Sequence, residues 1–260
     1  MSEVSRGTPP QVDAILDGLF TGASEGFLQS AVSREEGLFL RNLAARDGVR
    51  KTIEVGCANG VSTLSICAGL SSKENVSHTA IDPVQLTEYK GRGIETSRRA
   101  GFRFVQLMDQ GSEIALPSLL MKGEIYDMAL IDGLHTADQT MIDFYYLDRM
   151  LRPGGILVID DLHMPAVSKI VHYISTYPNY RLIGTSGRRG MRRRLINIVK
   201  QAIAIPLWLL RKIVGEPICR EFVDVSMLDP KTLWTLDSFT MAAFEKTGEY
   251  QRGTIWYEGL

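Results

Sequence analysis

The chain of 260 residues contains 45% hydrophobic and 23% charged residues and carries a formal net charge of −1. This length is enough for one large domain with a substantial core. A net charge so close to zero excludes a general electrostatic attraction to nucleic acid, and no nucleic-acid partner is expected. The polar N-terminal residues lack the features of a signal peptide, and Cys57, Cys67 and Cys219 show neither CxxC nor metal-ligand spacing. These features favour a cytoplasmic protein with buried, reduced thiols.

Short apolar runs alternate with helical patterns along most of the chain. The first helices are predicted at 11–19 and after Ser33, which forms a capping box with Glu36. The predicted strands are residues 51–55, 78–81, 102–107, 126–131, 156–159, 180–184 and 239–244, and the helices between them are residues 61–70, 86–100, 113–121, 137–151 and 165–177. Such alternation predicts an α/β fold: a doubly wound, Rossmann-like, mostly parallel sheet with helices on both faces.

Polar or flexible residues follow the predicted strands at the point where each strand ends. They are Gly56, Asp82, Asp132, Asp160 and Asp161. Because ligands of parallel sheets bind at the carboxyl ends of the strands, these residues predict one ligand-binding edge.

The segment Glu54-Val-Gly-Cys-Ala-Asn-Gly60 joins the first strand to a helix. Its glycines allow a tight turn, and the free N–H groups of the helix start, with the Ser62 hydroxyl, can bind a carboxylate or phosphate. Asp82 can accept hydrogen bonds from ribose hydroxyls, although an aspartate before Pro83 also suits a turn. The glycine spacing differs from the GxGxxG of dinucleotide-binding proteins, which disfavours an NAD-binding Rossmann enzyme.

Together with Ala80-Ile-Asp82 and Leu151-Arg-Pro-Gly-Gly155, this segment resembles the motifs of class I S-adenosylmethionine (SAM)-dependent methyltransferases. The resemblance covers roughly residues 33–186 and the last strand. It implies a seven-stranded sheet whose last strand is antiparallel, and a SAM site. The residues implied to bind SAM are Glu54, Gly56, Cys57, Ala58 and Gly60 near the methionine end, Ser62 near its carboxylate, Asp82 at the ribose and Ser112 near the adenine. Ser112 equally suits the N-cap of the helix that follows it.

Asp132 and the pair Asp160-Asp161 end two strands that we expect to be neighbours. Adjacent parallel strands lie about 4.8 Å apart, so the three carboxylates can converge. Such oxygen ligands suit Mg²⁺ or another hard divalent cation, although loop carboxylates are often only solvated. The set resembles the metal-dependent O-methyltransferases, which implies a cation that binds a substrate hydroxyl and lowers its pKa. Catechol-type members have Asn at the position of Asp161, so the bacterial sugar-type enzymes are more similar.

His135 lies three residues past Asp132, where the catechol-type enzymes place a lysine base. A neutral imidazole can accept a hydroxyl proton near pH 7, so His135 is a candidate catalytic base together with Asp132. Two other interpretations stay open: His135 only caps the next helix, or the metal alone activates the hydroxyl. His163 is a spare candidate.

A segment of about fifty residues, 187–236, interrupts the alternation before the last strand. It divides the chain into an N-terminal segment (1–32), a core (33–186 and 237–260) and an insertion. The insertion begins with an arginine-rich run, and its apolar residues require burial. We expect a helical insertion that caps the substrate. The alternatives are that residues 188–214 attach a cytoplasmic protein peripherally to a membrane surface, or that they form a homodimer contact.

The sequence therefore predicts a SAM-dependent O-methyltransferase acting on a small-molecule hydroxyl, of a sugar or a phenol, with a divalent cation. A metal-independent methyltransferase and a non-catalytic SAM-binding module are the alternatives. The acceptor itself is not specified by any motif.

Overall fold

A computed structural model of the chain describes residues 9–21, 31–188, 236 and 238–250. Most of the predicted insertion, 189–235, lies outside the described residues, so its role as a cap, a membrane contact or a dimer contact stays a prediction, as do the domain boundaries. No described helix is both long enough and apolar enough to cross a membrane.

Seven strands and seven helices are described. In chain order they are α1 (Pro9–Phe20), α2 (Arg34–Ala44), β1 (Lys51–Val55), α3 (Val61–Leu70), β2 (Ser77–Ile81), α4 (Arg92–Arg99), β3 (Val105–Met108), α5 (Ser112–Met121), β4 (Tyr126–Ile131), α6 (Ala137–Met150), β5 (Leu151–Ile159), α7 (Pro165–Ser175), β6 (Tyr180–Arg188) and β7 (Phe239–Lys246). The predicted α/β alternation is confirmed.

The strands form one sheet in the order β3-β2-β1-β4-β5-β7-β6. β1 to β5 pair in parallel, whereas β7 lies antiparallel between β5 and β6. The seven-stranded sheet with an antiparallel last strand is therefore confirmed.

The central strands end level with one another. Val55 pairs with Ile81 on one side and with Ile131 on the other, and Ile131 pairs with Ile159. The residues that follow these strands consequently emerge together, at the edge where a parallel sheet binds its ligands.

Successive residues of the buried strands point to opposite faces of the sheet. Ala129 and Ile131 of β4 pack with α5, α6 and α7. Met128 and Leu130 pack with α2 and α3 on the other face. Every residue of α3 is buried, because α1, α2 and α4 surround it. α3 therefore has no solvent-exposed face, and the loop before it leads into a fully buried helix.

The largest differences between predicted and observed boundaries are at the starts of α4 and β5. The helix predicted at 86–100 begins only at Arg92, because Lys90 and Gly91 have positive φ angles of 53° and 74°, which no α-helix contains. The strand predicted at 156–159 begins earlier, at Leu151, and crosses Pro153-Gly-Gly155 with a register shift against β4.

Candidate functional site

A cavity of about 1130 Å³ opens at the carboxyl ends of the parallel strands. The loops after β1 to β5 line it, and residues 31–36 before and within the start of α2 line it from the other side. Eight of the predicted site residues line this cavity with their side chain or backbone. They are Gly56, Ala58, Asp82, Ser112, Asp132, His135, Asp160 and Asp161.

The loop after β1 is tightly constrained at its two glycines. Gly56 has a φ of 83°, and a Cβ there would lie 2.0 Å from the carbonyl oxygen of Asp132. Gly60 has a φ of 84°, and a Cβ there would lie 2.3 Å from the carbonyl oxygen of Gly93. Both positions require glycine for conformation and for space. The loop can therefore bring its backbone close to a ligand.

Asp82 holds this loop in place. One carboxylate oxygen accepts hydrogen bonds from the backbone N–H groups of Cys57 (3.2 Å) and Ala58 (3.0 Å), and the other accepts from Val84 N–H at 3.0 Å. Although Asp82 is only 4% exposed, it lines the cavity. Asp82 therefore fixes the conformation of the loop and also lies where the ribose is predicted to bind.

Four of the predicted donor-site residues lie behind the cavity wall. Glu54, Cys57, Gly60 and Ser62 are buried and do not line the cavity. The Glu54 carboxylate accepts a hydrogen bond from Thr63 and contacts His78 Nε2 at 3.1 Å, which ties β1 to α3 and β2. These residues support the loop from its buried side.

The cysteines carry no reactive site within the described part of the chain. Cys57 and Cys67 are free and buried, and burial raises the pKa of both thiols. The prediction of buried, reduced thiols is therefore confirmed for Cys57 and Cys67; Cys219 lies outside the described residues.

At the other side of the cavity, two carboxylates and an imidazole converge. Asp132, His135 and Asp161 each offer a ligand atom, and these atoms lie within 4.8 Å of one another. His135 Nε2 lies 2.5 Å from Asp161 Oδ2 and 3.6 Å from Asp132 Oδ1. His163 Nδ1 contacts the other Asp161 oxygen at 3.2 Å. Asp161 adopts a left-handed φ of 56°, which turns its side chain away from the direction of Asp160.

Asp160, predicted to be the third carboxylate ligand, is not a member of this close group. It is 6% exposed, and burial first, then the charges of Asp132 and Glu36, raises its pKa well above the usual value. One of its oxygens accepts the N–H of Asp161 at 2.7 Å. The structure thus brings Asp132 and Asp161 together with His135, and leaves Asp160 behind them.

The side chains of this group change one another's pKa values. The contacts of His135 with Asp132 and then Asp161 raise its pKa to about 10, so the imidazole is protonated at neutral pH in the chain by itself. Burial raises the pKa of Asp132. The protonated His135 therefore places a positive charge beside the carboxyl groups of Asp132 and Asp161.

Comparison with known proteins identifies the chain at the level of the family. A family model for a methyltransferase domain matches residues 53–162, a stretch that contains the loop, Asp82 and the carboxylates. The chain is a SAM-dependent methyltransferase. Over 215 residues it is 26% identical to a catechol O-methyltransferase of Mycobacterium tuberculosis, a match that covers 70% of this chain and 92% of the relative.

Solved structures show the same methyltransferase fold. An O-methyltransferase from Bacillus cereus in complex with SAH matches with a TM-score of 0.56 at 17% identity, covering 68% of this chain and 83% of that one. The O-methyltransferase TomG from Streptomyces achromogenes, involved in tomaymycin synthesis and in complex with SAM, matches with a TM-score of 0.54 at 17% identity, covering 70% and 91%. The class I methyltransferase resemblance is therefore confirmed.

Two features of this methyltransferase's cavity are absent from the sequence-based prediction. Glu36 forms the predicted capping box with Ser33, but its carboxylate also accepts a hydrogen bond from Thr240 of β7 and lines the cavity. Gln139 lines the cavity beside Ser112 and donates a hydrogen bond to its hydroxyl at 2.8 Å. Gly111, and not Ser112, is the N-cap of α5. No local pattern could have shown these pairs, because each joins elements far apart in the chain.

Proposed function

We propose that this methyltransferase moves the methyl group of SAM to a hydroxyl oxygen of a small molecule, a phenol or a sugar, with the help of a divalent cation. The observation that carries the proposal is the convergence of Asp132, His135 and Asp161 in the same cavity as the loop after β1. The relative and the neighbours described above, named as O-methyltransferases, support an oxygen acceptor.

The loop after β1 and Asp82 would bind the methyl donor, SAM. Gly56 and Ala58 border the cavity, and Asp82 holds the loop while its carboxylate accepts hydrogen bonds from the ribose. Glu54, Cys57, Gly60 and Ser62 fix the loop and the start of α3 from behind. Holding the donor and the acceptor in one orientation supplies much of the rate enhancement that such a transfer needs.

The residues present fit a hard divalent cation. His135 Nε2 is buried and makes no hydrogen bond of acceptable geometry with the described residues, although two carboxylate oxygens surround it. The ligand atoms of Asp132, His135 and Asp161 lie within 4.8 Å of one another, and carboxylate oxygens of this kind are the ligands that Mg²⁺ and similar cations prefer. Asp132 and Asp161 would hold the cation, with His135 beside them and Asp160 behind. When bound, such a cation lowers the pKa of a substrate hydroxyl by Lewis-acid polarisation.

His135 is the group placed to take the hydroxyl proton. Its raised pKa means that it can accept a proton near neutral pH only when another positive charge offsets Asp132 and Asp161. Asp161 also contacts His163, which is about half exposed, so a proton has a route from the cavity to solvent. Glu36 and Thr240 close the cavity wall opposite.

A metal-independent methyltransferase is the second candidate. It is favoured by the direct contacts of Asp161 with both His135 and His163, which form an acid–base group without any cation. In that case Asp132 and His135 carry the proton transfer themselves.

Turnover with and without metal separates the two candidates. We expect labelled SAM to give an O-methylated product on a panel of phenols, catechols and sugars. Treatment with EDTA should lower the rate by at least about 100-fold, and Mg²⁺ or Mn²⁺ should restore it. Full activity in EDTA would overturn the metal-assisted reaction in favour of the second candidate, whereas a methyl group found only on nitrogen or carbon would overturn the oxygen acceptor.

A further inference from the structure

The outer side of α6 carries a stripe of side chains that the proposed chemistry does not use. The inner side of the helix, which includes Leu147, packs into the core beside the sheet. On the opposite side, four residues at spacings of four, three and four positions lie in one row. They are Asp138, Ile142, Tyr145 and Arg149. None of them lines the cavity, so the stripe is separate from the proposed active site.

This stripe is complementary to a second copy of itself. An acid and a base stand at its two ends, and two largely apolar side chains stand between them, centred between residues 143 and 144. If two such helices pack antiparallel, Asp138 faces Arg149 of the partner subunit. In the same arrangement Ile142 faces Tyr145 of the partner subunit. Such self-complementarity is what a two-fold symmetric interface requires.

α5 extends the exposed face with the same symmetry. Ile114 and Met121 are 59% and 89% exposed, and because they are seven residues apart they lie on the same side of α5. α5 packs beside α6, and the hydrogen bond from Gln139 to Ser112 joins the starts of the two helices. The midpoint of each pattern lies about six residues into its helix. One two-fold axis perpendicular to both helices can therefore pass through both midpoints and place α5 opposite α5 of the partner subunit.

The charges at the two ends of the stripe are available to a partner. The Arg149 guanidinium lies over the Tyr145 ring, 3.5 Å from its centroid, and donates a hydrogen bond to the Tyr145 carbonyl oxygen at 2.6 Å. These contacts hold the guanidinium on the stripe. The exposed Asp138 carboxylate accepts hydrogen bonds within its own turn, from Thr136 and from the N–H of Gln139. Neither charge has a salt-bridge partner among the residues that the structure describes.

We propose that the outer face of α5 and α6 binds a second copy of this chain about a two-fold axis perpendicular to the two helices. Ile114, Met121, Ile142 and Tyr145 form the apolar centre of the contact, and exposed apolar groups of this kind are typical of protein interfaces. Salt bridges between Asp138 and Arg149 of the partner subunit fix the antiparallel direction at both ends. A different partner would not require a face that complements itself.

Charge reversal tests this arrangement by sedimentation analysis of the full chain. We expect wild type to form dimers. Asp138→Arg and Arg149→Asp each place like charges opposite one another at both ends of the contact, so each should raise the dimer dissociation constant at least about tenfold. An equimolar mixture of the two variants should form 1:1 heterodimers, because every altered residue then faces an opposite charge. A failure to fold cannot produce this recovery.

The matched control is Arg98→Asp, which reverses an exposed charge in the last turn of α4 on the other face of the sheet. It should dimerise as wild type does. Wild type that stays monomeric at about 100 μM would overturn the proposal. Dimers that persist unchanged in both single variants would overturn the assigned face, and a mixture that stays monomeric would overturn the antiparallel arrangement.

Discussion

At the scale of single residues, Asp82 illustrates how one side chain can hold a loop in place and also line the cavity. Its position after β2 and before Pro83 fitted either a ribose contact or a turn residue. The structure shows that it also bonds the backbone of the loop after β1, twenty-five residues earlier. The sequence could predict that an acid stands here, but not this contact, because only the packing of β1 beside β2 creates it.

Replacing Asp82 should therefore weaken donor binding more than the loss of one ribose contact alone. We expect Asp82→Ala to lower the affinity for S-adenosylhomocysteine by at least about tenfold, because the loop loses its anchor as well. Calorimetry measures the affinity directly. Asp47→Ala, at an exposed position outside the cavity, is the control and should bind as wild type does. Unchanged affinity in Asp82→Ala would contradict the assigned site.

The buried carboxyl of Asp143 gives a pH-dependent effect on stability. Its folded-state pKa of about 6 lies above the unfolded value near 4, so its ionisation destabilises the folded state above pH 6, and this cost disappears as pH falls toward 4. Asp143→Asn should consequently gain up to about 3 kcal/mol of unfolding free energy relative to wild type at pH 8. The advantage should shrink at pH 5. Urea denaturation at both pH values measures it, and a difference that is constant with pH would refute this explanation.

At the scale of elements, the apolar runs predicted the strands well, because strands buried on both faces consist of little else. The prediction failed where the backbone conformation, rather than the hydrophobic pattern, ends an element. Lys90 and Gly91 delay the start of α4, and the glycine pair after Pro153 lies inside β5. The carboxylate group was predicted in part: strand order brought Asp132 and Asp161 together, but the turn at Asp161 separated Asp160 from them.

Gly56 offers a test of the close approach between β1 and β4. A Cβ at this position would overlap the carbonyl oxygen of Asp132, so Gly56→Ala should lower the unfolding free energy by several kcal/mol, more than the roughly 1 kcal/mol due to its positive φ. Gly123→Ala is the matched control, since Gly123 also has a positive φ but nothing lies within 4 Å of its Cβ position. Equal losses in the two variants, by urea denaturation, would argue against a tight contact at Gly56.

At the scale of the whole molecule, the level strand ends bring the loops after β1, β2, β4 and β5 to one cavity. The loop after β1, the hydrogen-bonded pair of Ser112 and Gln139, and the group of Asp132, His135 and Asp161 all border one cavity. The sequence motifs identified the first and the last of these. The pair of Ser112 and Gln139 and the contact of Glu36 with Thr240 join elements that are distant in the chain, and no spacing rule encodes such contacts.

The central claim is that the group of Asp132, His135 and Asp161 carries the methyl transfer. The most direct measurement is the single-turnover rate of methyl transfer to oxygen at saturating SAM in Asp132→Asn. Asp138→Asn is the control, because the Asp138 side chain is exposed on the first turn of α6. We predict that Asp132→Asn lowers this rate by at least about 100-fold while S-adenosylhomocysteine still binds, and that Asp138→Asn reacts as wild type does. A wild-type rate in Asp132→Asn would contradict the account.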